Sequence, residues 1–235
     1  MRATTHRIRR WAPAVTALVA GTLLLGAPAA QAAGEGLANA KARAASDISV
    51  RLTTLQQQIN LVQHSAPPPS SADATAVLAI MNTDVSGLTA LNTKIQGDTT
   101  LGGAVADAAT IYSAYRVYAL VLPQVHLIKA SDLVTGQIVP RLQRIDADLQ
   151  AAIQRAKANG KDVSATTAPM ADLAAQITAM TTTLGPVPGQ LLAMTPAQCN
   201  ANHLLVRPVR QDLATARHDL DLAHADAAAV LVALK

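Results

Sequence analysis

From Val206 to the C-terminus, Val206, Leu213, Leu220, Ala227 and Leu234 recur every seven residues, and Val209, Ala216, Ala223 and Val230 follow three residues after the first four. Seven residues are almost two turns of α-helix, so these side chains form one apolar seam along a helix; a strand would send alternate residues to opposite faces. Arg210, Arg217 and His224 flank the seam on one side and Asp212, Asp219 and Asp226 on the other. A seam of this kind has to be covered by a neighbouring helix. Alanines at its narrow positions allow close approach, which fits a partner within the same chain at least as well as a dimer, and a monomer is expected. A homo-oligomer joined through 206–234 is the competing arrangement.

Helical spacing extends over the rest of the chain. Ala45, Ile48, Leu52, Leu55, Ile59 and Val62 are spaced three or four apart, and Ala66-Pro67-Pro68-Pro69-Ser70 ends that run. A second helix is expected after Ser70 or Ser71, with Val77, Met81, Val85, Leu88 and Ile95 inward, Gly87 weakening its middle and Gly97 stopping it. Beyond Gly102-Gly103 the pattern continues to Ala158 and the turn Asn159-Gly160. Pro123 and Pro140 interrupt it and predict kinks or breaks, giving two or three pieces. Pro169 opens a helix striped by Met170, Leu173, Ile177, Met180 and Leu184. Gly185-Pro186-Val187-Pro188-Gly189 reads as a rigid connector, and Thr195-Pro196-Ala197-Gln198 as a capping box opening the final helix. Alternating strand patterns are missing. The expected fold is all-α: an elongated antiparallel helical bundle or helical-hairpin array with coiled-coil-like heptad seams.

Residues 1–32 have the parts of a secretory signal: a basic stretch to Arg10, an apolar core over Ala12–Leu25, and Ala30-Gln31-Ala32. Cleavage after Ala32 would leave 33–235 as a single secreted helical domain, with no transmembrane helix remaining; an uncleaved anchor is the alternative. This segment also accounts for the formal net charge of +4, because it holds Arg2, Arg7, Arg9 and Arg10 and no acid. Of 19 Lys and Arg, 15 then remain, against 15 Asp and Glu. A balanced chain gives no sign of a nucleic-acid partner, whose phosphates call for a basic surplus. Cys199, the one cysteine, cannot form an intrachain disulfide, so stability has to come from the core. An unpaired thiol in an oxidising compartment either pairs between chains or stays inert, and with no partner in sight a buried or weakly exposed thiol is expected.

The inventory excludes most chemistry. Glu35 is the only glutamate, which removes the Glu-x-x-His ligand sets of di-iron bundles and the His-Glu-x-x-His zinc motif. His218, Asp221 and His224 fan over about 120° of helix surface, too broad an arc for one metal ion. No catalytic residue, metal site or cofactor is assigned. One segment departs from the rest. Tyr112, Tyr115 and Tyr118 are the only tyrosines, the chain has no Phe, and its one Trp, Trp11, lies in the export segment. Tyr112 and Arg116 are one turn apart, as are Tyr115 and Tyr118, with His126 beyond Pro123. These five could bind an anion or a polar ring by hydrogen bonds and cation–π contact, or the rings could fill the centre of an alanine-rich bundle.

The stretch Tyr115-Arg116-Val117-Tyr118 through Leu122-Pro123-Gln124-Val125-His126 resembles a segment of uncharacterised secreted helical proteins of actinobacteria. That resemblance implies export and helicity and transfers no site. The reading is therefore an exported, non-catalytic structural or interaction protein with a protein or cell-envelope partner. The alternative is a small-ligand-binding bundle using Tyr112, Tyr115, Arg116, Tyr118 and His126.

Overall fold

The computed structural model describes residues 29–66 and 68–235, so most of the export segment read over 1–32 lies outside the described residues. Helix α1 (Ala29–His64) ends ahead of the proline run, where successive rings supply no amide donors. Ser70 then caps α2 (Ser71–Gly97), its Oγ accepting from the Asp73 amide at 3.1 Å. The Ser70 amide itself donates to Asp132 Oδ2 at 2.8 Å, pinning this turn to a distant helix. Gly97 is the last residue of α2, yet the cap is an extended Asp98 and no left-handed glycine is used. Thr100 opens α3 (Leu101–Ser113) by accepting from the Gly103 amide at 3.2 Å. On α1 the buried stripe is Ala44, Ile48, Leu55, Ile59 and Val62; Ala44 takes the place expected for Ala45.

The two interrupting prolines break nothing. A π-helical turn, Val117–Val121, runs straight into α4 (Leu122–Leu133), and a second, Val134–Ile138, runs into α5 (Val139–Ala158). In each, the residue before the proline donates five back along the chain, Leu122 to Val117 and Val139 to Val134. Widening the turn by one residue shifts the hydrogen-bond register, so each ring falls in the first turn of the next α segment, where its missing amide costs little. The real interruption comes earlier, at Ala114–Arg116, between α3 and the first π turn.

Gly160, at φ 77°, makes the turn after α5 and is the only described residue with positive φ. A short 3₁₀ turn over Ser164–Thr166 leads into α6 (Thr167–Leu184), with Pro169 in its first turn. The proline-glycine stretch expected to be a connector instead folds into α7 (Val187–Leu192), since Pro188 sits where a helix start tolerates it. The Thr195–Gln198 capping box is present, but it opens only the short α8 (Pro196–Ala201). Asn202 ends that helix by accepting the Leu204 amide on its own side chain, and α9 (Arg207–Ala233) begins afresh.

Burial of Val206, Val209, Ala216, Ala223, Ala227 and Val230 shows which face of α9 is inward. It lies antiparallel along α6, whose Leu173, Ile177, Met180 and Leu184 are buried, and α5 completes this group. Full burial of one such leucine or methionine is worth about 1.5–3 kcal/mol. Asp226, beside the seam, accepts from Gln176 of α6 at 2.8 Å. A second three-helix group consists of α1, α2 and α3, with α2 antiparallel to α1 and α3 parallel to it: Lys41 meets Gln96, whereas Asp47 meets Tyr112 and Thr54 meets Tyr118. Between the groups lies α4, packed on α2, α7 and α9. Its buried Gln124 donates to the carbonyls of Leu191 and Met194, at 2.6 and 3.1 Å, and its buried Ser131 donates to that of Leu184 at 3.0 Å. Two helical stretches, Ser71–Gly97 and Leu101–Ala158, are long and apolar enough by composition to cross a membrane, and both supply buried core residues.

Candidate functional site

The chemistry gathers at the interruption between α3 and the π turn. Because α1 runs beside α3, Arg51 reaches this point from the first helix, where it occupies the inward stripe between Ile48 and Leu55. Only 9% of it is exposed. Its guanidinium carbon lies 4.8 Å from the centroid of the Tyr112 ring and 5.3 Å from that of Tyr118, within cation–π range of both. Nη1 donates to the Asp47 carbonyl at 2.9 Å, while Nε is buried without an acceptor. Among the described residues neither Arg51 nor Arg116 has a carboxylate within 4.0 Å, and the salt bridge is Lys94–Asp107.

Second contacts fix the two flanking rings. Tyr112 donates its hydroxyl to Asp47 Oδ2. That hydrogen bond, with desolvation and the Asp47 charge, raises the phenol above its ordinary pKa, and Arg51 pulls the other way. Thr54 commits its single hydroxyl hydrogen to the Val50 carbonyl at 2.8 Å, so Tyr118 is the donor in its 3.3 Å contact with Thr54 Oγ1. Both rings remain about half exposed, at 49% and 46%. Tyr115 behaves differently, lying half-buried over Gly87 of α2, where even a methyl group would meet its ring. The glycine read as a weak point of α2 is therefore the seat of this tyrosine. Arg116 donates from Nε to Asn200 Oδ1, and Asn200 Nδ2 donates to the Ser113 carbonyl at 2.9 Å, so α8 braces both sides of the interruption.

These groups line a cleft of about 180 Å³, bounded by Arg51, Tyr112, Tyr115, Arg116, Val117, Tyr118 and Ala119. Four of the five residues singled out in the sequence therefore converge. His126 is exposed on α4 and does not line the cleft. Arg51, Asp47, Thr54 and Asn200 were not legible as partners. Arg51 did leave one signal, because Ile48, Arg51 and Leu55 have core spacing and a cation in that position requires an explanation. A larger groove, about 610 Å³, lies between α5 and α6, but its lining carries no charged side chain. Among the described residues no group of three or more His, Cys, Asp or Glu could hold a metal ion. Cys199 is buried, 4% exposed.

Fold and cleft together define an all-α protein with an aromatic–guanidinium recess between the first helix and the break that follows α3. No family model matches the chain, and neither does any characterised protein or solved structure.

Proposed function

We propose that the chain acts outside the cell as a non-catalytic helical interaction module, presenting the face around Arg51, Tyr112 and Tyr118 to a protein or cell-envelope partner. One observation carries this reading: two half-exposed tyrosines, each held by a hydrogen bond to α1, face one buried arginine. Tyrosine and arginine anchors of this kind dominate interface energetics, since rigid rings lose little entropy on contact. Val50 on α1 and Leu101 and Val105 on α3 are further exposed apolar side chains of the same two helices. Residues 1–32 supply the export signal, and the signal pattern supports work outside the membrane.

The test places a photo-activated cross-linking residue at Val50, exposed on α1 next to Arg51, and at His218, on an exposed part of α9, in producing cells. The expected result is a discrete adduct from position 50 and none from 218, in protein recovered from the medium with Ala33 as its first residue. Equal labelling from both positions, or none from 50, rejects the surface. Turnover of any substrate that disappears on changing a single Asp or His rejects the non-catalytic role.

The cleft favours a second reading, a small-ligand binder, because it carries two guanidinium groups lacking a carboxylate partner.

A further inference from the structure

We infer that the recess is a binding site for a compact oxyanion, a carboxylate or phosphate group, held by Arg51, Arg116 and the first amides of the helical run that starts at Val117. This rests on the reading of the face as a recognition surface and specifies what it recognises. Three independent features converge. Arg51 is nine-tenths buried, contributes to the lining and has no ion-pair partner, although a buried charge normally demands one. Its Nη1 is engaged by the Asp47 carbonyl while Nε has no acceptor, so the guanidinium retains unused donor capacity. The faces of the Tyr112 and Tyr118 rings stabilise the cation and leave its Nε unpaired.

The second feature is the helix start. Val117–Leu133 is one uninterrupted helical run, and its first bonds are the Leu120 and Val121 amides to the Arg116 carbonyl. The amides of Val117, Tyr118 and Ala119 precede any such bond, no side chain caps them, and among the described residues none has an acceptor. First-turn amides point back along the axis, here toward Tyr115 and Arg116, and carry the positive end of the helix dipole. The third feature is the charge of the lining, two arginines and no acid. Asp47 is the nearest acid described at the site, and one of its oxygens is occupied by Tyr112. An arriving oxyanion would thus meet two cations and three unpaired amides.

The oxyanion could be a free solute or an acidic side chain of a protein partner, and the experiment separates them. The purified protein, labelled with ¹⁵N, is titrated at constant ionic strength with inorganic phosphate, with acetate and with a short acidic peptide. The resonances followed are Arg51 Nε–H and the amides of Val117, Tyr118 and Ala119. Expected are shifts that saturate together, with a dissociation constant of about 1 mM or tighter, weakened at least about tenfold in Arg51→Lys, which keeps the charge and loses the fork. Tighter binding of the peptide than of either free anion identifies a protein side chain as the source; equal or tighter binding of the free anions identifies a solute. No saturable shift in the unmodified protein with any of the three probes overturns the inference, whether or not the variant folds. So does a shift undiminished in a folded Arg51→Lys. A failed titration alongside a specific adduct from Val50 removes the anion site and leaves the interaction surface; loss of both removes the surface.

Discussion

Gly87→Ala is the perturbation that most directly tests how the recess is built. Gly87 lies in the interior of the 27-residue helix α2, where replacing glycine with alanine normally stabilises by about 0.8–1 kcal/mol through helix propensity. Here the added methyl carbon would lie 2.5 Å from the Tyr115 hydroxyl oxygen, 2.7 Å from Cε1 and 2.9 Å from Cζ. Three contacts below 3.0 Å cannot persist, so the ring must shift against α2. Overpacking of this kind costs about 1–3 kcal/mol. The net change should lie between roughly zero and 2 kcal/mol of destabilisation. In a Tyr115→Ala background the three atoms nearest the methyl group are gone, and the same substitution should stabilise by up to about 0.8–1 kcal/mol. Urea unfolding of the four proteins of this cycle, followed by circular dichroism, gives the coupling directly, expected at about 1–3 kcal/mol. Stabilisation by about 1 kcal/mol in both backgrounds would refute the reasoning.

Asp84 should make stability fall as pH rises. Burial pushes its carboxyl from 3.8 to about 6, and its Oδ2 is buried without a partner. The folded state thus binds the proton more tightly than the unfolded state, so the contribution is fully present below about pH 3.8, is lost as pH climbs to about 6, and stays lost above. Two units correspond to about 3 kcal/mol; because the side chain is partly solvated, about 1–2 kcal/mol is the expected effect. Asp84→Asn should therefore be more stable than the parent at pH 7 and equal to it near pH 3.8, and a constant difference across that range contradicts the assignment. Gln124→Leu should cost about 1–3 kcal/mol by stranding the Met194 carbonyl and weakening that of Leu191. Hydrogen exchange should show the loosening confined first to α7, and unchanged protection over 187–194 would count against Gln124 as its anchor.

How far the sequence could be read depended on the range of the interaction. Ser70 as the cap of α2, the Thr195–Gln198 box and the Gly160 turn all involve partners within a few residues, and their chemistry is written locally. Pro123 and Pro140 were harder, because proline's cost depends on the hydrogen-bond register around it, and a π turn changes that register without interrupting the helix. The final helix divided at Asn202 since its side chain offered the backbone a competing partner. At the recess, clustering of three tyrosines marked the place. What the place contains came from elsewhere: Arg51, Asp47 and Thr54 from α1, Gly87 from α2 and Asn200 from α8.

Helical periodicity by itself determined that this chain is all-α and which side of each long helix faces inward, because a 3.6-residue period is visible wherever apolar residues keep to it. The seam over 206–234 is the clearest case, and it shows that a covering helix is required. It does not say which one. Only the tertiary structure decided that α6 covers it, that α1 lies parallel to α3, and that an arginine in the core stripe of the first helix meets two tyrosines more than sixty residues away. Periodicity specifies the orientation of a face around its own axis, whereas the choice of partner depends on loop lengths, side-chain volumes and buried charges summed over the whole fold.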